Sequence, residues 1–287
     1  MPELLVGKAR SRRPQDPVRV GTPPWSYLWR VAGFQKLIQP SMLLCAARNV
    51  ARETDMARIG SLMRRNMVTR DVVARGVSDR RVLEAIRKVP REVFVPGELR
   101  QHAYNDSPLP IGSGQTISQP FIVAFMIEAL VLEGGERVLE IGAGSGYAAA
   151  VLAEIAGEVY AIERIGQLAK NAAINLQNAG YHNVHIKHAD GTLGWAEMAP
   201  FDAILVSASA PSVPAKLKAQ LKIGGRLVMP VGSAYAQQLV RIKRKSETAF
   251  AEEDLADVRF VPLIEGGLER GRRSNDPPPG SSLRSPK

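Results

Sequence analysis

Val138 to Gly157 read VLEIGAGSGYAAAVLAEIAG. Four apolar-rich residues run into glycines at 142, 144 and 146, and an alanine-rich amphipathic segment follows. That order predicts a strand, a tight turn and a helix. Glycine is needed where a backbone turns sharply and a ligand comes close to it. The next apolar run ends in Glu163, 21 residues after Gly142. An acid at that distance can accept both ribose hydroxyls of an adenosine.

The pattern continues outward from this unit. Strands are expected at Arg137–Ile141, Glu158–Ile162, Val184–His188, Ala203–Val206 and Arg226–Val231, and helices at Tyr147–Ala156, Gly166–Ala179 and Pro214–Leu221. Strand–helix alternation of this kind predicts an α/β fold with a doubly wound parallel sheet. Ahead of it, Ser78–Val89 reads as a helix capped by Ser78, with apolar residues at 82, 83, 86 and 89. "REVFV", between Pro90 and Pro96, reads as extended, and Pro120–Leu132 as a helix with proline in its first turn.

The whole chain has 287 residues, a hydrophobic content of 45% and one cysteine, Cys45. A large core can form, and an intrachain disulfide or a cysteine metal cluster cannot. One cysteine fits a reducing compartment, so the expected location is cytoplasmic. Leu37–Ala47 is too short and too broken by Pro40 to span a bilayer. The net charge of +10 suggests nucleic acid until it is divided. Residues 1–60 carry +6 and residues 269–287 carry +3, which leaves +1 for everything between them. A basic binding cleft would charge the fold itself. The expected organisation is therefore a basic extension over 1–60, a catalytic domain over 61–268 and a disordered tail over 269–287. No nucleic-acid or membrane partner is expected.

The cofactor can be narrowed. A nicotinamide fingerprint wants a small residue three after the second glycine, and Tyr147 stands there. The spacing is G-x-G-x-G instead, preceded by Glu140. This arrangement resembles the class I methyltransferases, which bind S-adenosylmethionine, and an acid beside the loop suits a cationic ligand. Asp190 and Gly191 follow the strand Val184–His188. Asp190 could accept the adenine amino group or serve as an Asx-turn or helix cap. His182, His185 and His188 read as surface and strand residues, so no metal is expected.

Ala189 to Ile204 read A-D-G-x-x-G-W-x-x-x-A-P-F-D-x-I. This stretch resembles the signature of the protein-L-isoaspartate O-methyltransferase family. "VPREVFVP", "LPIGSGQTISQP", "VLEIGAGSGY", "GGRLVMPVG" and "VRFVPLIEGG" lie in the same order. The resemblance covers roughly Met63 to Leu268. It implies a Rossmann-like fold with N-terminal helical additions and S-adenosylmethionine as donor. It also implies an enzyme that transfers methyl to the free carboxyl of isoaspartyl residues in damaged proteins, expected to be a monomer. By the same resemblance Ser118 is the active-site hydroxyl, Thr116 and Ile117 line the donor, and Gln238 is a cofactor-side glutamine. A peptide groove near Pro211–Pro214 and Val261–Leu263 is implied too. Ser118 also stands two residues before Pro120, where it could simply cap the helix.

Rival readings meet specific obstacles. Amino-group methylases of nucleic acids usually carry an Asn/Asp-Pro-Pro-aromatic motif after the fourth strand, and "VSASAPSVP" stands there instead. Tyr147 opposes a nicotinamide oxidoreductase. A non-catalytic module using its basic ends to contact nucleic acid or membrane would show salt-sensitive binding that is lost with residues 1–60.

Overall fold

The computed structural model describes residues 58–233 and 235–266. The expected basic extension, apart from its last three residues, and the expected tail lie outside them.

A seven-stranded sheet organises the described residues. Its strands are β3 (Arg137–Ile141), β4 (Glu158–Glu163), β5 (Val184–His188), β6 (Phe201–Val206), β7 (Leu221–Gly232), β8 (Gln237–Arg244) and β9 (Phe250–Val258). The order is β5-β4-β3-β6-β7-β8-β9. Pairing is parallel from β5 through β7 and antiparallel for the last two strands. Strands 3 to 5 step one way and strands 6 and 7 the other, so the topological switch point lies between β3 and β6. Ligands of such sheets bind beyond the strand carboxyl ends at that point.

Alternation along the strands feeds two apolar layers. Val138, Val159, Ala161, Ala203 and Val228 face the layer that holds α2 (Arg80–Lys88), α3 (Pro120–Leu130), α4 (Tyr147–Ala153) and α5 (Gly166–Asn178). Leu139, Ile141, Ile162, Ile204 and Leu227 face the layer closed by α6 (Ala215–Ala219). Burial on both faces is why these strands read as continuous apolar runs. Among the described residues, no helix is long and apolar enough to cross a membrane.

The strands expected at Arg137–Ile141 and Val184–His188 agree to the residue, and the helix starts at 120, 147 and 166 agree as well. Other expectations need correction. Asp79, not Ser78, caps α2, accepting from Arg81 N at 2.8 Å and Val82 N at 3.2 Å. Ser78 N donates instead to Glu128 Oε1 on α3, at 2.7 Å. Arg91–Phe94 is a 3₁₀ turn, not an extended segment, because the Arg91 and Phe94 side chains must both turn inward. The helix expected over Pro214–Leu221 stops at Ala219, and Leu221 already opens β7.

An unanticipated pair of short strands precedes α3. β1 (Leu109–Gly112) and β2 (Gln115–Ile117) form a hairpin of their own. Its turn is made by Gly112, Ser113 and Gly114, all at positive φ. Ahead of it, α1 (residues 58–67) contributes Arg64 and Met67 to the interior.

Candidate active site

Beyond the carboxyl ends of β3, β4 and β6 lies a cavity of about 250 Å³. Its floor is the glycine loop after β3, its far wall is Val261–Ile264, and the strap Gly114–Ser118 crosses its mouth side. Eight of the eleven residues predicted for the site line it: Thr116, Ile117, Ser118, Glu140, Gly142, Gly144, Glu163 and Gly191.

Glu163 shapes the loop. Gly144 N donates to its Oε2 at 2.9 Å, and Ile165 N donates to its Oε1 at 2.8 Å. The side chain is 6% exposed. Each oxygen keeps a second lone-pair position, so the carboxylate can hold the loop and still accept ligand hydroxyls.

Glu140 is more unusual. It is 1% exposed, and its Oε2 has no hydrogen-bond partner among the described residues. Burial, and then the charge of Glu163, push its pKa well above the ordinary carboxylate range. An orphaned buried carboxyl costs stability unless a partner arrives. A positively charged ligand group in the adjoining cavity would supply that partner.

Two glycines are there for space. Gly146 sits at φ +90°, where a side chain would meet Leu176 of α5 at 3.2 Å. It packs α5 against the loop and does not line the cavity. At Gly191 a Cβ would lie 2.4 Å from Cγ2 of Ile141. Only glycine lets the chain after β5 come this close to the end of β3.

Ser118 is half-buried on the cavity wall. It does not cap α3. The N-cap is Gln119, with no side-chain bond, and Phe121 N donates instead to Asp106 Oδ1 at 3.1 Å. The Ser118 carbonyl is anchored from behind: buried Arg91 donates from Nη2 to Ser118 O and from Nε to Ala103 O, each at 2.8 Å.

The geometry corrects the expectation at Gln238, while Asp190 makes the cap and keeps a second lone-pair position on Oδ2. Its Oδ1 accepts from Thr192 N at 2.8 Å and from Thr192 Oγ1 at 2.7 Å, while Oδ2 accepts from Gly266 N at 2.8 Å. Burial pushes this carboxyl up, but those bonds outweigh it and its pKa is lowered. Gln238 is exposed and does not line the cavity, because the alternation of β8 turns Gln237 inward in its place. Gln237 is the useful neighbour. Its Nε2 donates to Phe260 O at 3.1 Å, and its Oε1 accepts from Phe260 N at 2.7 Å. That clamp leads directly into the wall Val261–Ile264. The wall is also tied to Ser209, which donates to Val261 O at 2.8 Å and accepts from Leu263 N at 2.7 Å. Pro211–Pro214 do not line the cavity, whereas Val261–Leu263 do.

Tyr147, read only as an obstacle to nicotinamide, lines the cavity as well. Its ring meets Phe94 edge-on at 5.8 Å, and the Arg91 guanidinium lies 4.7 Å from its centroid. Burial raises its pKa. Among the described residues no group of three or more His, Cys, Asp or Glu could hold a metal. His185 Nε2 lies 2.6 Å from Glu158 Oε2, and His188 Nε2 lies 2.9 Å from Arg164 O.

The glycine loop with its clamping acid, and the buried unpartnered Glu140, fit a nucleoside ligand that carries positive charge. Comparison with known proteins points the same way. A protein-L-isoaspartate O-methyltransferase 2 of Marinobacter nauticus is 61% identical over 203 residues, covering 70% of this chain and 93% of that one. A relative from Rhodopseudomonas palustris is 61% identical over 212 residues, covering 74% and 86%. A structure from Plasmodium falciparum assigned to the same enzymes, in complex with S-adenosyl-L-homocysteine, superposes with a TM-score of 0.63 at 27% identity, covering 71% of this chain and 99% of that one. A second protein-L-isoaspartate O-methyltransferase structure gives 0.61 at 31% identity, covering 68% and 64%. Residues 63–267 match the family as a whole, and the chain belongs to the protein-L-isoaspartate(D-aspartate) O-methyltransferase (PCMT) family, on a Rossmann-like class I methyltransferase fold.

Proposed function

We propose that this chain transfers methyl from S-adenosylmethionine to the free carboxyl of isoaspartyl residues in damaged proteins, at the cavity beyond β3 and β4. The observation that carries the reading is that the glycine loop and the Thr116–Ser118 strap share one cavity. A nucleoside binder needs only the first, and a methyltransferase must present an acceptor group opposite the donor.

Glu163, the 142–144 loop and Gly191 would hold the nucleoside, and Glu140 would answer its positive charge. When bound, S-adenosylmethionine supplies a methyl group on a positively charged sulfur. Thr116 and Ile117 would cover it. The acceptor is the substrate's own α-carboxylate, with a pKa of ~3.5. It is ionised near neutral pH, so no residue here has to remove a proton. The protein's task is alignment and exclusion of water, and positioning alone can lower such a barrier by up to ~7–11 kcal/mol. Ser118 donates its hydroxyl proton in a hydrogen bond to one carboxylate oxygen and leaves the other free to attack. After release, the neighbouring backbone nitrogen attacks the ester carbonyl, methanol leaves, and a succinimide closes without the enzyme.

The substrates are proteins and peptides, and nucleic acid is not among them, since residues 61–268 carry a net charge of only +1. The working form is a monomer, which light scattering of the purified chain checks, and its compartment is the cytoplasm, which cell fractionation checks. The deciding assay supplies radioactive donor with an isoaspartyl peptide and with its aspartyl twin. Label on the first alone is expected, and label on neither would end the reading. Ser118→Ala removes a hydrogen bond to a charged acceptor, worth about 1.5–3 kcal/mol, and so slows turnover ~10–150-fold. Donor affinity stays within about twofold, as titration calorimetry would show. An unchanged rate removes Ser118 from the mechanism.

A further inference from the structure

We infer that Arg91 is a positioning residue for the methyl transfer, setting the place of Ser118 from behind the strap. This rests on the proposed role of Ser118 and extends it to a residue that touches neither substrate.

Arg91 is 0% exposed. A guanidinium there has given up its water shell, and among the described residues no carboxylate forms an ion pair with it. Its Nη1 has no hydrogen-bond partner either. An apolar side chain of similar volume would spare the desolvation of the guanidinium but would leave the Ala103 and Ser118 carbonyls without their donor. What an apolar side chain cannot do is bridge two carbonyls at a set separation. The planar fork of arginine does so, from Nε to Ala103 O and from Nη2 to Ser118 O, both at 2.8 Å.

The two anchors belong to different pieces of the molecule. Ala103 caps the 3₁₀ segment Gly97–His102, and Ser118 ends the strap, directly after β2. A third contact reaches the donor side. The guanidinium lies over the ring of Tyr147, the first residue of α4, which lines the cavity next to the glycine loop. One side chain therefore references the acceptor-holding serine to the element that starts the donor loop's helix. Lysine cannot replace it, because a single ammonium lacks the fixed spacing of the two donors.

The test uses the full chain with an isoaspartyl peptide. Arg91→Lys and Arg91→Met are compared with the wild type, Ser118→Ala and the double variant Arg91→Lys/Ser118→Ala. Rates are expressed per donor-binding site counted by titration with S-adenosyl-L-homocysteine, so unfolded protein does not enter. We expect kcat to fall at least tenfold in both Arg91 variants, with the donor Kd within threefold of wild type. The double variant should be no more than threefold slower than Ser118→Ala, because Arg91 acts through that serine. A purely structural residue would lower the melting temperature and leave kcat per site intact, and that result overturns the inference. So does a double variant that multiplies the two single losses. If neither Arg91 variant binds donor at any temperature, the residue holds the fold and the inference is likewise overturned. A wild-type chain that does not methylate the peptide defeats the proposed function itself. A Ser118→Ala variant at full rate defeats the serine role, and the Arg91 inference with it. Slow Ser118→Ala beside normal Arg91 variants defeats the Arg91 inference alone.

Discussion

Glu163→Gln isolates the clamp under the glycine loop with little change in volume. The carboxylate accepts from Gly144 N and Ile165 N through different oxygens. An amide has one oxygen and one NH₂ group. Whichever way it turns, one of these backbone N–H groups faces another donor. One charge-assisted bond, worth about 1.5–3 kcal/mol, is lost, and a buried donor is stranded at a cost of about 1–3 kcal/mol. Rearrangement of the loop relieves part of this, so a net loss of about 2–3 kcal/mol is expected. For a domain of this size that lowers the melting temperature by roughly 5–10 °C. The relieving movement takes place at Gly144, on the cavity floor, so donor affinity should fall about tenfold, equivalent to ~1.4 kcal/mol. Calorimetric titration with S-adenosyl-L-homocysteine and thermal melts of the donor-free protein measure the two effects. The peptide's KM should move little, because the strap is untouched. A melting temperature within 1 °C and an affinity within twofold of wild type, found together, would refute the clamp; these limits are a fraction of the ~2 kcal/mol expected.

Glu140→Gln should change how stability depends on pH. Burial raises this carboxyl's pKa, so the folded chain keeps a proton that the unfolded chain releases above ~4.3. The wild type is then favoured at low pH and loses that contribution as pH rises from ~4.3 through the raised value. Donor-free melts across this window should show a slope that Glu140→Gln flattens, and parallel profiles for the two proteins would contradict it. On β8, Gln237→Ala removes both bonds to Phe260, so the 261–264 wall should loosen and the peptide's KM rise ~5–10-fold, from about 1–1.5 kcal/mol lost. Gln238→Ala should leave donor Kd and peptide KM within about twofold, since surface changes of this kind cost little. Steady-state kinetics that rank the two variants the other way would reverse the orientation read from β8.

The legible parts of this chain were those whose physics is local. β3 agrees to the residue because it is an interior strand, buried on both faces and stopped by Gly142, whereas β5 is an edge strand whose start is marked by Asn183. The loop glycines and Glu163 were legible because spacing along the chain fixes their relation to one strand end. Leu221, the first residue of β7, falls inside the helix expected over Pro214–Leu221, and pairing with Phe201 puts it in the sheet instead. β9 carries glutamates and aspartates on an open edge and shows no apolar period to find. "IGSG" does contain the turn residues of the β1–β2 hairpin, yet its strands are only four and three residues long. Gln237 and Gln238 are chemically identical neighbours, and the strand's alternation, invisible in composition, decides which one faces inward. Arg91 was beyond reach for a different reason. Its partners are main-chain carbonyls, which leave no residue type in the sequence to match it with.

These failures share a location, and the location has a consequence. The donor-side residues Glu140, Gly142, Gly144 and Glu163 sit on or just beyond β3 and β4, where parallel pairing on both sides fixes their position. The acceptor side is assembled differently. The strap hangs from its own two-stranded hairpin and is pinned by Arg91, while the opposite wall follows β9 and is pinned by Gln237 and Ser209. Side-chain-to-backbone tethers are few, and each carries a large share of the positional constraint, whereas a sheet spreads constraint over many ladder bonds. Donor binding should therefore tolerate single substitutions outside the loop and its Glu163 clamp, and acceptor alignment should not. Damage at Arg91 or Gln237 would surface in kcat or peptide KM while the nucleoside still bound, a pattern that a cavity built wholly on the sheet would not produce.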